Sequence, residues 1–277
     1  MTSFGERLEL AFAEFGNLCV GIDPNIGLLE DWGLTADAAG LRDFGLRVVD
    51  AAAGRVGVVK PQVSFFESRG SAGIAALEEV IAAAKAAGIL VIGDAKRGDI
   101  GSTMEGYANA WLRNGSPLEV DALTVSPYLG VASLADVDAY ARFSQNGLFV
   151  LSATSNPEAT VLQSARGIDG STVAATIVET VREWNAGQSL GSTGVVIGAT
   201  VDLAEVGIDL DALVGTPILA PGFGHQGARF SDVRTLFGAA ADGVLLSASR
   251  SILSAGPDGI AAAIETQAAE VAKALTA

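Results

Sequence analysis

Cysteine and histidine are almost missing from this 277-residue chain, in which Cys19 and His225 are the only examples of the two residue types. A single cysteine excludes an intrachain disulfide framework and suits a reducing compartment, so we expect a cytoplasmic protein. One cysteine and one histidine also cannot assemble a zinc site of the Cys/His type. We therefore predict no metal site.

Positive charge is scarce as well, with 17 Lys and Arg against 32 Asp and Glu and a formal net charge of −15. This excess of acid disfavours binding to nucleic acid or to an anionic membrane surface. Uninterrupted apolar runs are too short to span a bilayer, and residues 1–15 lack the layout of a signal peptide. An anionic ligand would need a locally cationic pocket, which makes basic residues at the ends of apolar runs informative.

What the chain does contain is a series of short apolar runs that alternate with segments of helical periodicity. We predict eight strands, at residues 18–22, 56–59, 89–92, 122–125, 148–151, 195–197, 217–220 and 244–246. Helical spacing is clearest at residues 74–87, 171–184 and 259–275. Eight alternations without a linker predict one α/β domain, a single (β/α)8 TIM barrel over residues 1–277. In such barrels the active site lies on the loops at the carboxyl ends of the strands.

The third run ends in a concentration of charge. Residues 89–92 are apolar, Gly93 ends the run, and Asp94, Lys96 and Asp99 follow. Because side chains alternate along a strand, Asp94 and Lys96 are expected on the same face at the strand end. Placing a carboxylate and an ammonium at the end of a buried strand is costly. From this stretch alone, a catalytic pair and an ion pair that merely orders a loop both remain open.

A glycine-rich segment follows the seventh predicted strand, at residues 221–227. Its glycines, in the pattern Gly-x-Gly-x-x-Gly, are Gly222, Gly224 and Gly227. The pattern also fits a dinucleotide site, but such a site belongs to an early strand–helix–strand unit. Loops after strands seven and eight of a barrel commonly bind phosphate, and Arg250 ends strand eight. We therefore favour phosphate over a nicotinamide cofactor, with Gln226 as a further donor and His225 only as a neighbour.

Two further strand ends carry polar side chains that face the same rim. Lys60 ends the second strand, where it either binds a ligand or extends its ammonium from the barrel edge into solvent. Asp23 ends the first strand and could accept hydrogen bonds from sugar hydroxyls, although an Asx-turn before Pro24 explains it equally well. The long segment 156–170 is predicted to be a loop that could cover the site.

Together, these segments resemble the orotidine 5′-phosphate decarboxylase family, most closely its longer bacterial (type 2) subgroup. The similarity runs in order through residues 21–24, 60–67, 94–103, 154–157, 221–227 and 249–250. It therefore spans nearly the whole chain. The chain departs from the subgroup pattern at three places, which usually hold Asn at Ser126, a small apolar residue at His225, and Asn-Ser at Ser247 and Ala248. None of these departures removes a charged group that the chemistry needs.

The resemblance implies cofactor-free decarboxylation of orotidine 5′-phosphate to UMP, a step of pyrimidine synthesis. Lys96 would be the general acid that protonates C6 of the pyrimidine. Asp94 would lie beside the substrate carboxylate and hold Lys96. The resemblance also implies a homodimer with shared active sites. Asp99 and Thr103 would reach across the interface into the partner's site and complete an alternating charge array with Lys60 and Lys96.

The same resemblance implies how the substrate is bound. Asp23 and Lys60 would hold the ribose, and Ser155 would contact the pyrimidine edge. Gln226 and Arg250 would bind the phosphate beside the glycine-rich loop. Binding energy from that remote phosphate would serve to close segment 156–170 over the reacting ring.

Two other functions stay open from the sequence. A related barrel could use a similar Asp-x-Lys element together with Mg²⁺ on a sugar phosphate. It would need further acidic ligands, and Glu67 is the one rim-side carboxylate near strand two. A noncatalytic nucleotide-binding barrel would keep its function without Lys96. Metal chelation separates the first alternative from a cofactor-free enzyme, and replacement of Lys96 separates the second.

Overall fold

Eight parallel strands close into a barrel in chain order, and the last strand pairs back with the first. The computed structural model describes residues 2–224 and 227–276. The strands are β1 (Leu18–Ile22), β2 (Val58–Pro61), β3 (Leu90–Arg97), β4 (Ala122–Val125), β5 (Gly147–Ala153), β6 (Thr193–Ile197), β7 (Ile218–Pro221) and β8 (Val244–Ala248). Each predicted run overlaps one strand. The predicted (β/α)8 barrel is therefore confirmed.

Apart from the first, the helices follow strands and lie on the outside of the barrel. They are α1 (Phe4–Phe15), α2 (Ile26–Asp31), α3 (Ala38–Ala52), α4 (Val63–Glu67), α5 (Gly70–Ala86), α6 (Gly101–Trp111), α7 (Ala135–Phe143), α8 (Thr160–Gln163), α9 (Val173–Trp184), α10 (Val233–Phe237), α11 (Arg250–Leu253) and α12 (Gly256–Thr276). The predicted helical segments correspond to α5, α9 and α12. Between β6 and β7 the described chain forms a 3₁₀ turn at Leu210–Leu213 in place of an α-helix, which departs from strict alternation.

The first helix closes the amino-terminal end of the barrel. Ser3 and Glu6 form a capping box that fixes the start of α1. Phe4 is fully buried and meets the Phe149 ring edge-on, with ring centroids 6.1 Å apart. A Cβ at Gly147, the first residue of β5, would lie 2.4 Å from the Phe4 ring, so only glycine fits there. With this end filled, the carboxyl end of the barrel is left for ligands.

The outer helices pack tightly enough to hold the strand ends in fixed positions. Phe44 of α3 and Leu77 of α5 are fully buried in the layer between helices and barrel. A Cβ at Gly45 of α3 would lie 2.4 Å from Val80 of α5, so these helices approach at a distance that glycine permits. None of the helices in the described ranges is long and apolar enough to cross a membrane.

Candidate active site

A cavity of about 360 Å³ opens at the carboxyl ends of the strands. Its walls are mainly charged and polar side chains contributed by different strand ends. These are Asp23, Lys60, Gln62, Asp94, Lys96, Thr154, Ser155, Asn156, Ser247, Ser249 and Arg250, together with the backbone of Gly222. Apolar side chains, including Leu151, Val196 and Leu219, form the remaining wall. The fold thus brings seven of the residues selected from the sequence to one cavity.

Asp94 is the centre of the charged group. Its Oδ2 accepts a hydrogen bond from Lys60 Nζ at 2.8 Å, and its Oδ1 accepts one from Lys96 Nζ at 2.5 Å. The predicted contact between Asp94 and Lys96 is therefore confirmed. Lys60 was predicted to belong to a charge array with Lys96, but its direct contact with Asp94 was not, because that distance depends on how β2 pairs with β3.

The two lysines around Asp94 differ in exposure. The Lys60 side chain is 8% exposed, whereas the Lys96 side chain is 44% exposed and reaches the open part of the cavity. A buried ammonium with one carboxylate partner orders the site, while a partly exposed one can meet a ligand. Lys96 is therefore the better placed of the two to touch a reacting atom.

Asp94 and Lys60 are both held in their charged forms. Burial alone would raise the pKa of the Asp94 carboxyl, but the Lys60 and Lys96 ammonium groups outweigh burial and hold that pKa well below its usual range. Burial disfavours charge on Lys60 as well, but the carboxylates of Asp94 and Asp23 outweigh it and raise the pKa of the ammonium above its ordinary value. The site therefore presents fixed charges at neutral pH.

Replacing Asp94 by asparagine is expected to lower the free energy of unfolding by about 3 kcal/mol at neutral pH, because it leaves the Lys60 ammonium buried without its partner. The pKa of the Asp94 carboxyl is lower in the folded than in the unfolded protein. Its contribution to the free energy of unfolding is therefore fully present above the unfolded pKa of about 4 and is lost as pH falls towards the folded pKa. The raised pKa of Lys60 keeps the lysine charged until strongly alkaline pH. The penalty should therefore be constant between about pH 5 and 7 and shrink near pH 3.

Denaturant unfolding of the parent and of Asp94→Asn at these pH values measures the effect. Asp43→Asn is the matched control, because Asp43 pairs with Arg42 on the surface, where both side chains are more than 40% exposed. Its cost is expected to stay below about 1 kcal/mol. A penalty for Asp94→Asn that is as large near pH 3 as at neutral pH would contradict the assignment.

One carboxylate oxygen of Asp23 is available to a ligand. Its Oδ2 accepts a hydrogen bond from Ser249 Oγ, and its Oδ1 is buried with no hydrogen-bond partner among the described residues. The Asn25 N–H bonds to the backbone oxygen of Asp23 rather than to its side chain, so the Asx-turn interpretation is wrong. A buried acceptor without a partner is costly, and a hydroxyl group of a ligand in the cavity would satisfy it.

The glycine-rich loop lies on the opposite side of the cavity from β3. Gly222, Gly224 and Gly227 have φ values of 113°, 75° and 102°, which other residues rarely adopt. Gly222 and Arg250 line the cavity, whereas Gly224 and Gly227 are not among its lining residues. Gln226 and His225, both named from the sequence, lie outside the described residues. A guanidinium beside exposed loop amides is suited to a phosphate group.

Asp99 and Thr103 do not line the cavity of their own chain, in contrast to the other charged or polar residues predicted for the site and described here. Asp99 follows β3, and its Oδ1 accepts a hydrogen bond from the Ile100 N–H at 2.8 Å. Thr103 is exposed on the first turn of α6. Helix α6 begins at Gly101, so Thr103 faces the surface, while Asp99 lies just before the helix and is half-buried.

Segment 156–170 was predicted to be a loop, and part of that prediction is wrong. Pro157–Ala159 form a 3₁₀ turn, and α8 follows it directly. Gln163 of α8 accepts a hydrogen bond from the Thr154 N–H at 2.8 Å and donates one to Thr154 Oγ1 at 3.0 Å. These two bonds tie the segment to the end of β5, next to Ser155 and Asn156 in the cavity wall.

Glu67, the carboxylate considered as a magnesium ligand, pairs with an arginine instead of facing the cavity. It forms an ion pair with Arg97, whose guanidinium also lies over the rings of Tyr107 at 5.5 Å and Trp111 at 5.8 Å from their centroids. In the ranges 2–224 and 227–276, acidic residues, cysteine and histidine form no group of three or more that could hold a metal ion.

Comparison with known proteins gives the same family over nearly the whole chain. The sequence profile of the orotidine 5′-phosphate decarboxylase / HUMPS family matches residues 16–265. The orotidine 5′-phosphate decarboxylase of Salinispora arenicola is 52% identical over 279 aligned residues, which cover 100% of this chain and 99% of the relative. That of Streptomyces coelicolor is 49% identical and covers 100% of both chains.

Solved structures agree with the sequence relatives. A crystal structure of a Streptomyces avermitilis protein assigned as orotidine 5′-phosphate decarboxylase superposes with a TM-score of 0.96 at 50% identity, covering 100% of this chain and 97% of the other. The structure of Leishmania donovani OMP decarboxylase superposes with a TM-score of 0.78 at 30% identity, over 100% of both chains.

Proposed function

Because the chain belongs to the orotidine 5′-phosphate decarboxylase family, we propose that the cavity centred on Asp94 is its active site and that Lys96 carries the chemistry. The chain is a carboxy-lyase that converts orotidine 5′-phosphate to UMP and CO2 in the synthesis of pyrimidine nucleotides. The observation that carries the assignment of residues is the buried carboxylate of Asp94 with ammonium groups at 2.8 Å and 2.5 Å.

The chemistry calls for a cation at the reacting carbon. Loss of CO2 from C6 leaves an electron pair with no adjacent carbonyl to delocalise it. A fixed ammonium at that position stabilises the developing negative charge and can then donate a proton to C6. Lys96 is the partly exposed ammonium of the group, and Asp94 directs it through the hydrogen bond between them. No cofactor is required for these steps, so we propose a cofactor-free reaction.

The remaining polar groups of the cavity supply binding energy. The Oδ1 of Asp23 is suited to accept a hydrogen bond from a ribose hydroxyl, and Lys60 lies near Asp23. Ser155 is suited to contact the pyrimidine edge. We assign the phosphate to Arg250 and the loop containing Gly222, Gly224 and Gly227, with Gln226 as a further donor. Energy from this remote contact helps to hold the reacting ring against Lys96.

We propose a homodimer in which Asp99 and Thr103 complete the partner's site. Two observations support this. Both residues lie beside the carboxyl end of β3 but outside their own cavity, and exposed apolar side chains surround that edge. Ile100 is 60% exposed, Tyr128 78% and Leu129 55%. Apolar surface of this kind marks protein contacts.

We further propose that the protein is cytoplasmic, which the buried thiol of Cys19 and the nucleotide product support. We also propose that residues 1–277 form one domain, since the eight strands close a single barrel.

Purified protein is expected to decarboxylate orotidine 5′-phosphate after removal of metals with excess chelator. The loss of the orotate absorbance measures the reaction, and chromatography of UMP identifies the product. Full activity in chelator would exclude the magnesium-dependent alternative. A correctly folded sample that leaves the absorbance unchanged would contradict the function, and activity that returns only with Mg²⁺ would contradict the cofactor-free mechanism.

A further inference from the structure

Lys96 has an unusual backbone conformation. Its φ is +50°, and Gln145 is the only other described non-glycine residue with a positive φ. The left-handed region is sparsely populated by residues with a Cβ, and it persists only where surrounding contacts fix it. Some neighbour must therefore hold the backbone at the residue that carries the proposed chemistry.

The strain coincides with a bulge in the sheet. Gly93 pairs with Leu123 and Arg97 pairs with Val125, so three residues of β3 lie opposite the single residue Thr124 of β4. Bulges re-aim side chains and disrupt the ladder of backbone hydrogen bonds locally. The Lys96 N–H accordingly needs a partner other than a backbone carbonyl of β4.

The Thr124 hydroxyl provides that partner. Thr124 is fully buried, and its Oγ1 accepts a hydrogen bond from the Lys96 N–H at 2.9 Å. The same hydroxyl donates to Asp94 Oδ1 at 3.1 Å, with the Gly93 carbonyl as a longer alternative at 3.4 Å. One hydroxyl group thus contacts both the backbone of Lys96 and the carboxylate that holds its ammonium. Valine would have the same shape but could neither accept nor donate.

We propose that Thr124 is a positioning residue that holds Lys96 in its left-handed conformation and orients Asp94 towards the Lys96 ammonium. This inference rests on the proposed role of Lys96. Thr124 need not touch the substrate, because it acts on the direction of the ammonium. Its loss should therefore affect the chemical step much more than the binding of ribose or phosphate.

Thr124→Val, Thr124→Ala and Thr124→Ser form the test set. We expect the valine and alanine variants to lower kcat on the order of 100-fold, as a small misplacement of a catalytic group does. KM for orotidine 5′-phosphate and the Kd for UMP should change by less than about threefold, since uniform binding is untouched. The serine variant restores the hydroxyl and should recover kcat to within about tenfold of the parent.

Thr193→Val is the matched control for a merely structural effect. Thr193 is also fully buried on a barrel strand, and its hydroxyl donates to Asp138, which is outside the cavity lining. We expect this variant to lower thermal stability while kcat stays at the parental value. Thr124→Ala keeps the test decisive if Thr124→Val does not fold, because alanine removes the hydroxyl without placing a methyl group against the Lys96 N–H and the Asp94 carboxylate.

The outcomes separate this inference from the proposed function. Parental kcat in both hydroxyl-free variants, or no recovery in Thr124→Ser, would overturn the role of Thr124. An equal loss of kcat in Thr193→Val would also overturn it, by showing a general effect of stability. An active Lys96→Ala enzyme would refute the proposed function of Lys96 and this inference with it. An inactive Lys96→Ala enzyme beside a fully active Thr124→Val would refute this inference alone.

Discussion

Replacing Lys96 by alanine is expected to lower kcat/KM for orotidine 5′-phosphate by about 10⁴-fold or more. The change removes both the cation that stabilises the developing charge at C6 and the proton donor, and each effect is large. Affinity for UMP should fall much less, because the ribose and phosphate contacts lie elsewhere in the cavity. Steady-state rates with substrate and the Kd of UMP measure the two effects separately.

Two further variants show whether the ammonium itself is needed. Lys96→Arg keeps a positive charge but cannot donate its proton at neutral pH, so we expect it to remain nearly inactive. Lys85→Ala is the matched control, because Lys85 is a partly exposed lysine of α5 that pairs with Glu119 away from the cavity. It should keep the parental rate. A Lys96→Ala enzyme within about tenfold of the parent would contradict the role of Lys96 as general acid.

The barrel could be predicted from the sequence because its strands are short apolar runs. Parallel strands in a barrel are covered on both faces, so they contain few polar residues until the carboxyl end. Asp23, Lys60 and Asp94 stand out for that reason, each at or just after the end of such a run. The 3₁₀ turn at Leu210–Leu213 was not predicted, because tertiary packing rather than local periodicity determines that segment.

The contacts between side chains in the site depend on how the strands pair, which could not be predicted from the sequence. Lys60 was assigned to the ribose, and its 2.8 Å contact with Asp94 depends on the register of β2 against β3. The predicted third strand ended at residue 92, whereas β3 continues to Arg97 through the bulge. The side chains of Asp94 and Lys96 meet as predicted, but the left-handed backbone at Lys96 means that simple alternation is not the reason.

Thr124 and α8 were missed for different reasons. A threonine within a β-branched run is typical of any strand, so nothing in the sequence marks Thr124 as special. The turn at Pro157 did carry a signal, since Asn156 followed by Pro157 matches the preferred start of a helical turn. This signal predicts the helical part of segment 156–170.

The second large effect concerns the proposed dimer. Asp99→Ala is expected to lower kcat/KM by about 10²-fold or more, although Asp99 does not line the cavity of its own chain, because each subunit would lend this carboxylate to its partner's site. A second carboxylate near Lys96 would help to direct the ammonium, as Asp94 does through its hydrogen bond. Glu105→Ala is a suitable control, because Glu105 is an exposed acidic residue on the same helix as Thr103. It should retain the parental rate.

The activity of a purified heterodimer tests most directly whether Lys96 works with the partner subunit's Asp99. One subunit carries both Lys96→Ala and Asp99→Ala, or the two changes are divided between the subunits, and different affinity tags isolate each heterodimer. With the changes divided, one site keeps both groups, and we predict about half of the parental activity per dimer. With both changes on one subunit, each site lacks one group, and the heterodimer should be nearly inactive. The reverse order of activities would contradict a shared site, and so would equal activity of the two heterodimers.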